Sequence, residues 1–214
     1  MITRRAVLLS AAALSFAAIV GATALVPQAQ AQVDAAELVQ PGPLGDMAQG
    51  AANAPVTIVE YASMTCSHCA TFHIQTYPQL KTKLIDTGKV RYILREFPLD
   101  DLARGAFMLA RCGGDKYFEI VDALFKQQKA WAFVQNPVPQ LFAIVRPFGF
   151  NEQSFEKCVS DQKVLDGISE VARRGAEKFK VNSTPTFFIN GKVFRGALTI
   201  DQIEREVAPL LKGS

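Results

Sequence analysis

The sequence has almost no excess of charge of either sign. Its 23 lysines and arginines stand against 20 aspartates and glutamates, and Arg4 and Arg5 lie in an N-terminal segment that we expect to be removed. The near-neutral remainder gives no basis for binding nucleic acid or an anionic membrane surface. The chain also lacks a phosphate-binding loop, a Ser–His–Asp order, an EF-hand loop and an internal repeat.

Hydrophobic residues make up 49% of the 214 residues and charged residues 20%. This composition supports a packed core and argues against disorder. The length suits one domain of ordinary size, or one domain that carries a large insertion.

The first 31 residues have the pattern of a signal peptide. A charged start with Arg4 and Arg5 precedes an apolar stretch over 6–26 and Ala29-Gln30-Ala31, which predicts cleavage after Ala31 and export to the periplasm. The stretch is long enough to span a bilayer, so an uncleaved membrane anchor is the alternative, although its alanines and serines would make a poor one. The paired arginines also leave open export by the twin-arginine route.

Four cysteines follow in the predicted mature chain, at Cys66, Cys69, Cys112 and Cys158. Export would place them in an oxidising compartment, where four cysteines allow three pairings. The short spacing favours Cys66–Cys69 as one pair, which leaves Cys112–Cys158 as the other.

Cys66-Ser67-His68-Cys69 follows an apolar run and opens a segment with helical spacing. At a helix N-terminus, free backbone N–H groups and the macrodipole favour an anion. A stabilised thiolate is a good leaving group, so a disulfide at this place accepts electrons readily. The alternatives are a static bridge or half of a zinc site. A c-type haem is excluded because Ala70 follows Cys69 where that motif needs histidine.

The first part of the chain predicts a βαβ unit. The β-branched run over 56–62 indicates a buried strand, a helix broken at Pro78 follows to about residue 86, and a second strand covers 90–97. Two strands joined by a helix should be parallel.

The remainder predicts helices and then a hairpin. The pattern is helical over 99–180, and two apolar runs over 186–195 flank Asn190-Gly191, a strong signal for a tight β-hairpin. A last helix is expected over about 199–211.

Two motifs carry a resemblance to a known family. One runs from Val59 to Cys69 (VEYASMTCSHC) and the other from Val181 to Gly191 (VNSTPTFFING), on either side of the helical block. Together they resemble the DsbA-like family of exported thiol oxidoreductases, in its four-cysteine branch, over about residues 55–211. The resemblance implies an α/β fold, with a thioredoxin-like βαβ…ββα core and a helical insertion domain. The expected parts are a signal peptide 1–31, an N-terminal leader 32–54, a thioredoxin-like domain 55–98 and 181–214, and a helical insertion 99–180.

Within the Cys-x-x-Cys motif, we expect Cys66 to be the nucleophile because it begins the helix, and Cys69 to be the resolving cysteine. His68 can donate a hydrogen bond toward the Cys66 sulfur and, when charged, favour the thiolate. The motif resembles the family's Cys-Pro-His-Cys, with Ser67 in place of proline. The alternative for His68 is an exposed polar residue.

Three further residues take their expected roles from the resemblance. It implies that Pro185 is cis, that its loop faces the cysteines, and that Thr184 borders the sulfurs while the backbone before Pro185 pairs with an extended substrate. The alternative is an ordinary trans-proline turn.

For Glu60, in the first strand, the resemblance implies a buried acid that helps to move the proton of the resolving cysteine. The alternative is a structural charge paired with a lysine.

We interpret Cys112–Cys158 as a structural disulfide within the insertion, rather than a second redox relay, because these cysteines lack the helix-start spacing. We interpret His73, four residues after Cys69, as a packing or surface residue. No cofactor and no metal are expected.

The sequence therefore predicts a periplasmic thiol:disulfide oxidoreductase, which donates the Cys66–Cys69 disulfide to reduced exported client proteins. The family implies a membrane quinone-linked partner that reoxidises it, and we expect a monomer. A reductase or isomerase of the same fold is the alternative; such isomerases usually dimerise, and 32–54 is short for a dimerisation domain. A metal-binding or chaperone-like protein and a peptide-binding module with an inert disulfide are more distant alternatives.

Overall fold

The computed structural model describes residues 33–212, and the predicted signal peptide lies outside this range. Five strands form one sheet: β1 (Met47–Gln49), β2 (Val56–Ala62), β3 (Val90–Glu96), β4 (Thr186–Ile189) and β5 (Lys192–Arg195). Ten α-helices surround it: α1 (Ala35–Leu38), α2 (Ser67–Gln75), α3 (Tyr77–Leu80), α4 (Asp101–Cys112), α5 (Tyr117–Lys126), α6 (Gln128–Trp131), α7 (Pro137–Val145), α8 (Glu152–Val159), α9 (Gln162–Lys178) and α10 (Ile200–Leu211).

The strand order is β1-β3-β2-β4-β5, with β2 and β3 parallel and the other pairs antiparallel. The predicted βαβ unit and hairpin are therefore present, within the α/β fold that the sequence indicates. Asn190 and Gly191 both have positive φ, which matches the right-handed twist of the two strands that they join.

Strand β2 lies in the middle of the sheet and is covered on both faces. Side chains alternate along a strand, so Ile58 and Ala62 pack into one core, whereas Val59 and Tyr61 pack into the other. Position 60 shares a face with Ile58 and Ala62. Its carboxylate is therefore carried into the interior under α2.

The composition of residues 32–54 predicts a leader with little fixed structure apart from a short strand near its end, and the structure has that strand as β1 but binds the described part of the leader closely to the domain. Strand β1 pairs with the edge strand β3. The guanidinium of Arg95 donates to the carbonyl of Gln40, Arg111 donates to the carbonyls of Leu44 and Gly45, and Arg174 donates to that of Gln40. Residues 33–49 thus complete one edge of the fold.

The block between β3 and β4 is helical, as its sequence pattern predicts. Asp100, Asn151 and Asp161 cap α4, α8 and α9 through side-chain oxygens that accept backbone N–H groups. Cys112 at the end of α4 is bonded to Cys158 in α8, with 6.2 Å between their Cα atoms. Within residues 33–212, no helix is both long enough and apolar enough to cross a membrane.

We predict that the Cys112→Ser, Cys158→Ser double variant is less stable than the wild type but still catalyses thiol–disulfide exchange at low temperature. The bond closes a loop between residues 46 apart in sequence, and the chain-entropy model gives a stabilisation of about 4 kcal/mol for such a loop. Thermal unfolding followed by circular dichroism should show a midpoint lowered by roughly 10 °C. Loss of turnover in a variant that is still folded would contradict the structural assignment.

Candidate active site

The site forms where the end of β2 meets the beginning of β4. Strand β2 runs toward Cys66, and the antiparallel β4 begins beside it, with Thr186 opposite Tyr61. This pairing brings the loop before Thr186 next to the beginning of α2. The two cysteines and Thr184-Pro185, far apart in sequence, therefore lie together.

Cys66 is the N-cap of α2, and the structure holds it as a thiol with 9% of its surface exposed. Its Sγ accepts the backbone N–H of Cys69 at 3.4 Å and donates to the Thr184 carbonyl at 3.2 Å. The pKa of Cys66 is lowered to about 5, mainly by a hydrogen bond from the Cys69 thiol. Desolvation opposes this effect, whereas Thr184 and the backbone N–H groups of Cys69 and His68 add to it. A pKa lowered in this way favours the thiolate form of Cys66 over the thiol at neutral pH.

Cys69 lies one turn into α2 and is fully buried. Burial, the hydrogen bond with Cys66 and the negative charge of Glu60 raise the pKa of the Cys69 thiol well above its usual range. The motif therefore combines one sulfur that is stable as a thiolate with one that is stable as a thiol.

His68 differs from the sequence expectation. Its side chain is exposed, and within residues 33–212 it makes no hydrogen bond to the Cys66 sulfur. The contribution of His68 to the Cys66 thiolate comes from its backbone N–H. The expected side-chain hydrogen bond is not formed, because the second residue of α2 is exposed while its amide faces the N-cap, and the effect of a charged His68 on the thiolate stays a prediction.

The Thr184–Pro185 peptide bond is cis. The Thr184 carbonyl accepts the Cys66 thiol, and the Thr184 hydroxyl oxygen is buried without a hydrogen-bond partner. The backbone N–H of Thr184 is also without a partner in the part of the chain that the structure describes. Thr184 therefore borders the sulfur and has two unused donors.

Glu60 is fully buried below α2, and its Oε2 accepts the hydroxyl of Tyr92. The basic group in contact with Glu60 is the imidazole of His73, with Nε2 3.2 Å from Glu60 Oε2. No lysine contacts Glu60 among the residues described, so the partner of this acid is a histidine. His73 is buried, as a packing residue would be, but it contacts a charged group.

Two contacts from the helical insertion have no signal in the sequence. Gln128 in α6 is buried and donates its amide hydrogens to the carbonyls of Met64 and Cys66, at 2.8 and 3.0 Å. Thr65 donates its hydroxyl to Asp100, the cap of α4, at 2.7 Å. The insertion thus fixes the loop that leads into Cys66.

The site can therefore hold a thiolate at Cys66 next to a neutral thiol at Cys69. The pair lies beside the backbone of Thr184, whose N–H group, within the residues described, is free to bind another chain. Among residues 33–212, no three His, Cys, Asp or Glu side chains converge in a way that could hold a metal ion.

Comparison with known proteins agrees with this geometry. The Thioredoxin_4 family model, described as Thioredoxin, matches residues 44–208. A Rickettsia bellii protein named "Putative protein-disulfide oxidoreductase" is 36% identical over 149 residues, which is 68% of this chain and 57% of that protein. A protein of the same description from Rickettsia typhi is 34% identical over 164 residues, covering 76% and 60%. The chain spans about three fifths of the length of these curated relatives.

Two solved structures have the same architecture. The alpha-DsbA1 protein of Wolbachia pipientis superposes with a TM-score of 0.77 at 31% identity, covering 83% of this chain and 96% of that one. BdbD of Bacillus subtilis, at 20% identity and a TM-score of 0.70, covers 81% and 97% and shares the fold. With a family model that matches most of its length and a relative above 30% identity, the chain belongs to the DsbA-like family of thioredoxin-fold proteins.

Proposed function

We propose that the chain is a thiol:disulfide oxidoreductase that donates a Cys66–Cys69 disulfide to reduced client proteins. The observation that carries the proposal is the opposite environment of the two sulfurs, since the pKa is lowered to about 5 at Cys66 and raised at Cys69. Stabilising the reduced pair in this way makes the disulfide a stronger oxidant. The names of the Rickettsia and Wolbachia relatives agree with this activity.

The reaction takes two exchanges. A client thiolate attacks Cys66, the sulfur with some exposed surface, and forms a mixed disulfide while Cys69 leaves and takes up a proton. A second client thiolate then attacks the client's own sulfur, and Cys66 leaves as the stabilised thiolate. The client dithiol is oxidised to a disulfide, and its two electrons stay on the enzyme as a thiol and a thiolate.

The client would bind as an extended segment beside Thr184. The free backbone N–H of Thr184, and its carbonyl once Cys66 no longer donates to it, form a short edge for main-chain pairing. The buried Thr184 hydroxyl is placed to donate to the Cys66 anion at each step.

The proposed setting is the periplasm, supported by the signal-peptide pattern of residues 1–31. Clients are reduced exported proteins, and a membrane quinone-linked partner restores the disulfide. The proposed working unit is a monomer, because residues 32–54 are short for a dimerisation domain.

The reduction potential of Cys66–Cys69, measured by equilibration with glutathione buffers, tests the direction of electron flow. We expect a value near about −120 mV, as for strong disulfide donors, because Cys66 is the more stable as an anion. A value near about −230 mV or below would instead assign the chain to the reductases or isomerases.

Replacing the attacked sulfur tests the chemistry itself. Cys66→Ser should abolish the oxidation of reduced, unfolded ribonuclease A, followed by its recovery of nuclease activity, while Cys112→Ser, Cys158→Ser should retain it. Oxidation that survives in Cys66→Ser would reject the redox function and leave a peptide-binding or metal-binding role.

The pH dependence of Cys66 alkylation tests the thiolate. In the reduced protein, the rate with iodoacetamide should be nearly constant above about pH 6 and fall through pH 5, because the pKa of Cys66 is about 5. A lowered pKa also stabilises the reduced fold above the pKa of the unfolded thiol, and this stabilisation disappears as the pH falls through 5. A rate that rises only near pH 8 or 9, as for an ordinary cysteine, would contradict the assignment.

A further inference from the structure

A buried acid and a buried base face each other beneath the motif. Glu60 and His73 are 0% and 2% exposed, and 3.2 Å separates Glu60 Oε2 from His73 Nε2. This contact does not have the geometry of a hydrogen bond, and His73 Nε2 has no hydrogen-bond partner. The other carboxylate oxygen, Glu60 Oε1, also has none. Buried polar atoms nearly always have a hydrogen-bond partner, so an unpartnered atom on each of these two side chains needs an explanation.

The fold holds this pair in an aromatic cage. His73 follows Cys69 by one turn of α2 and therefore lies on the same helix face. Its ring stacks on Phe125 at 4.3 Å and lies 5.1 Å from the ring of Tyr77. These rings pack against the imidazole and help to bury it beside Glu60.

The pair is also coupled to the resolving cysteine. The charge of Glu60 acts directly on the Cys69 thiol and disfavours a second negative charge beside it. Cys69 can therefore become a thiolate most easily when its proton passes to the carboxylate, which leaves one charge at the site instead of two.

We propose that His73 is a positioning residue for this transfer: by pairing with Glu60 it keeps the carboxylate ionised and ready to accept the Cys69 proton. The inference rests on the proposed function, whose resolving step it describes. During reoxidation, Cys66 is joined to a sulfur of the oxidant. The Cys69 proton moves to Glu60, the Cys69 thiolate attacks Cys66, and the oxidant's sulfur leaves as a thiolate.

The other titratable groups around the pair come from each element packed on it. They are Cys69 of α2, Tyr77 of α3, Tyr92 of β3 and Tyr117 of α5, whose pKa values burial raises, so that the three tyrosines remain neutral. Asp122 of α5 acts on Tyr77 from farther out. In the described part of the chain, His73 is thus the group that can supply positive charge to Glu60 by contact.

The resolving step can be isolated with oxidised glutathione. Reduced protein is mixed with excess oxidised glutathione, quenched in acid at millisecond to second intervals, and weighed by mass spectrometry. The decay of the glutathione mixed disulfide reports the attack by Cys69 and is independent of glutathione concentration. It is measured from pH 4 to pH 9, with circular dichroism at each pH to confirm folding.

The decay rate of the mixed disulfide should reach half of its maximum at a pH that is about one unit higher in His73→Gln and His73→Phe than in the wild type. The reason is that the carboxylate of Glu60 loses the positive charge that the imidazole can supply. Glu60→Gln should remove the part of the pH dependence of the decay rate that comes from the carboxylate. His73→Gln in the Glu60→Gln background should then cause no further shift. Phe125→Leu is the matched control: it disturbs packing against His73 but keeps both proton-carrying groups, so it should lower thermal stability and leave the midpoint in place.

Three results would overturn the assignment of His73. They are an unchanged midpoint in both His73 variants, a shift that persists in the Glu60→Gln background, and an equal shift in Phe125→Leu. Failure of oxidised glutathione to convert the wild type into either the mixed disulfide or the Cys66–Cys69 disulfide would instead reject the proposed function.

Discussion

The stability of a negative charge on the Cys66 sulfur is the interaction on which the rest of the site depends. Donors from the beginning of α2 surround this sulfur, while Cys69, one turn away, is fully buried beside a carboxylate. The same two elements therefore favour charge at one sulfur and oppose it at the other. This difference, rather than the spacing of the cysteines alone, gives an exchange reaction its direction, since a disulfide opens toward the better leaving group.

The fold sustains this difference with parts that are distant in sequence. The alternation of side chains along β2 places Glu60 under α2, and the register of β2 with β4 places Thr184 beside Cys66, 118 residues away. The insertion adds Gln128, which holds the carbonyls of the loop before α2. The thioredoxin-like core thus supplies the chemistry, and the insertion fixes the position of the loop.

Sequence reasoning succeeded where a local pattern determines the outcome. The β-branched run of β2, the Asn190-Gly191 hairpin and the helical pattern over 99–180 appear in the structure as expected. It failed where an interaction depends on the orientation of a side chain or on packing between distant elements. His68 is next to the cysteines in sequence but directs its ring to solvent. His73 and Gln128 carry no local signal, because their partners become neighbours only through the packing of α2 on β2 and of α6 on the loop.

The three arginines that bind residues 33–49 come from β3, α4 and α9, all later in the chain than the segment they hold. Their acceptors are mainly backbone carbonyls, which any sequence would present. The segment therefore makes all of these contacts only when β3, α4 and α9 are in place together. The full set of contacts of an early segment thus depends on a side chain 134 residues later in the chain, so a change in α9 can loosen the opposite end of the sequence.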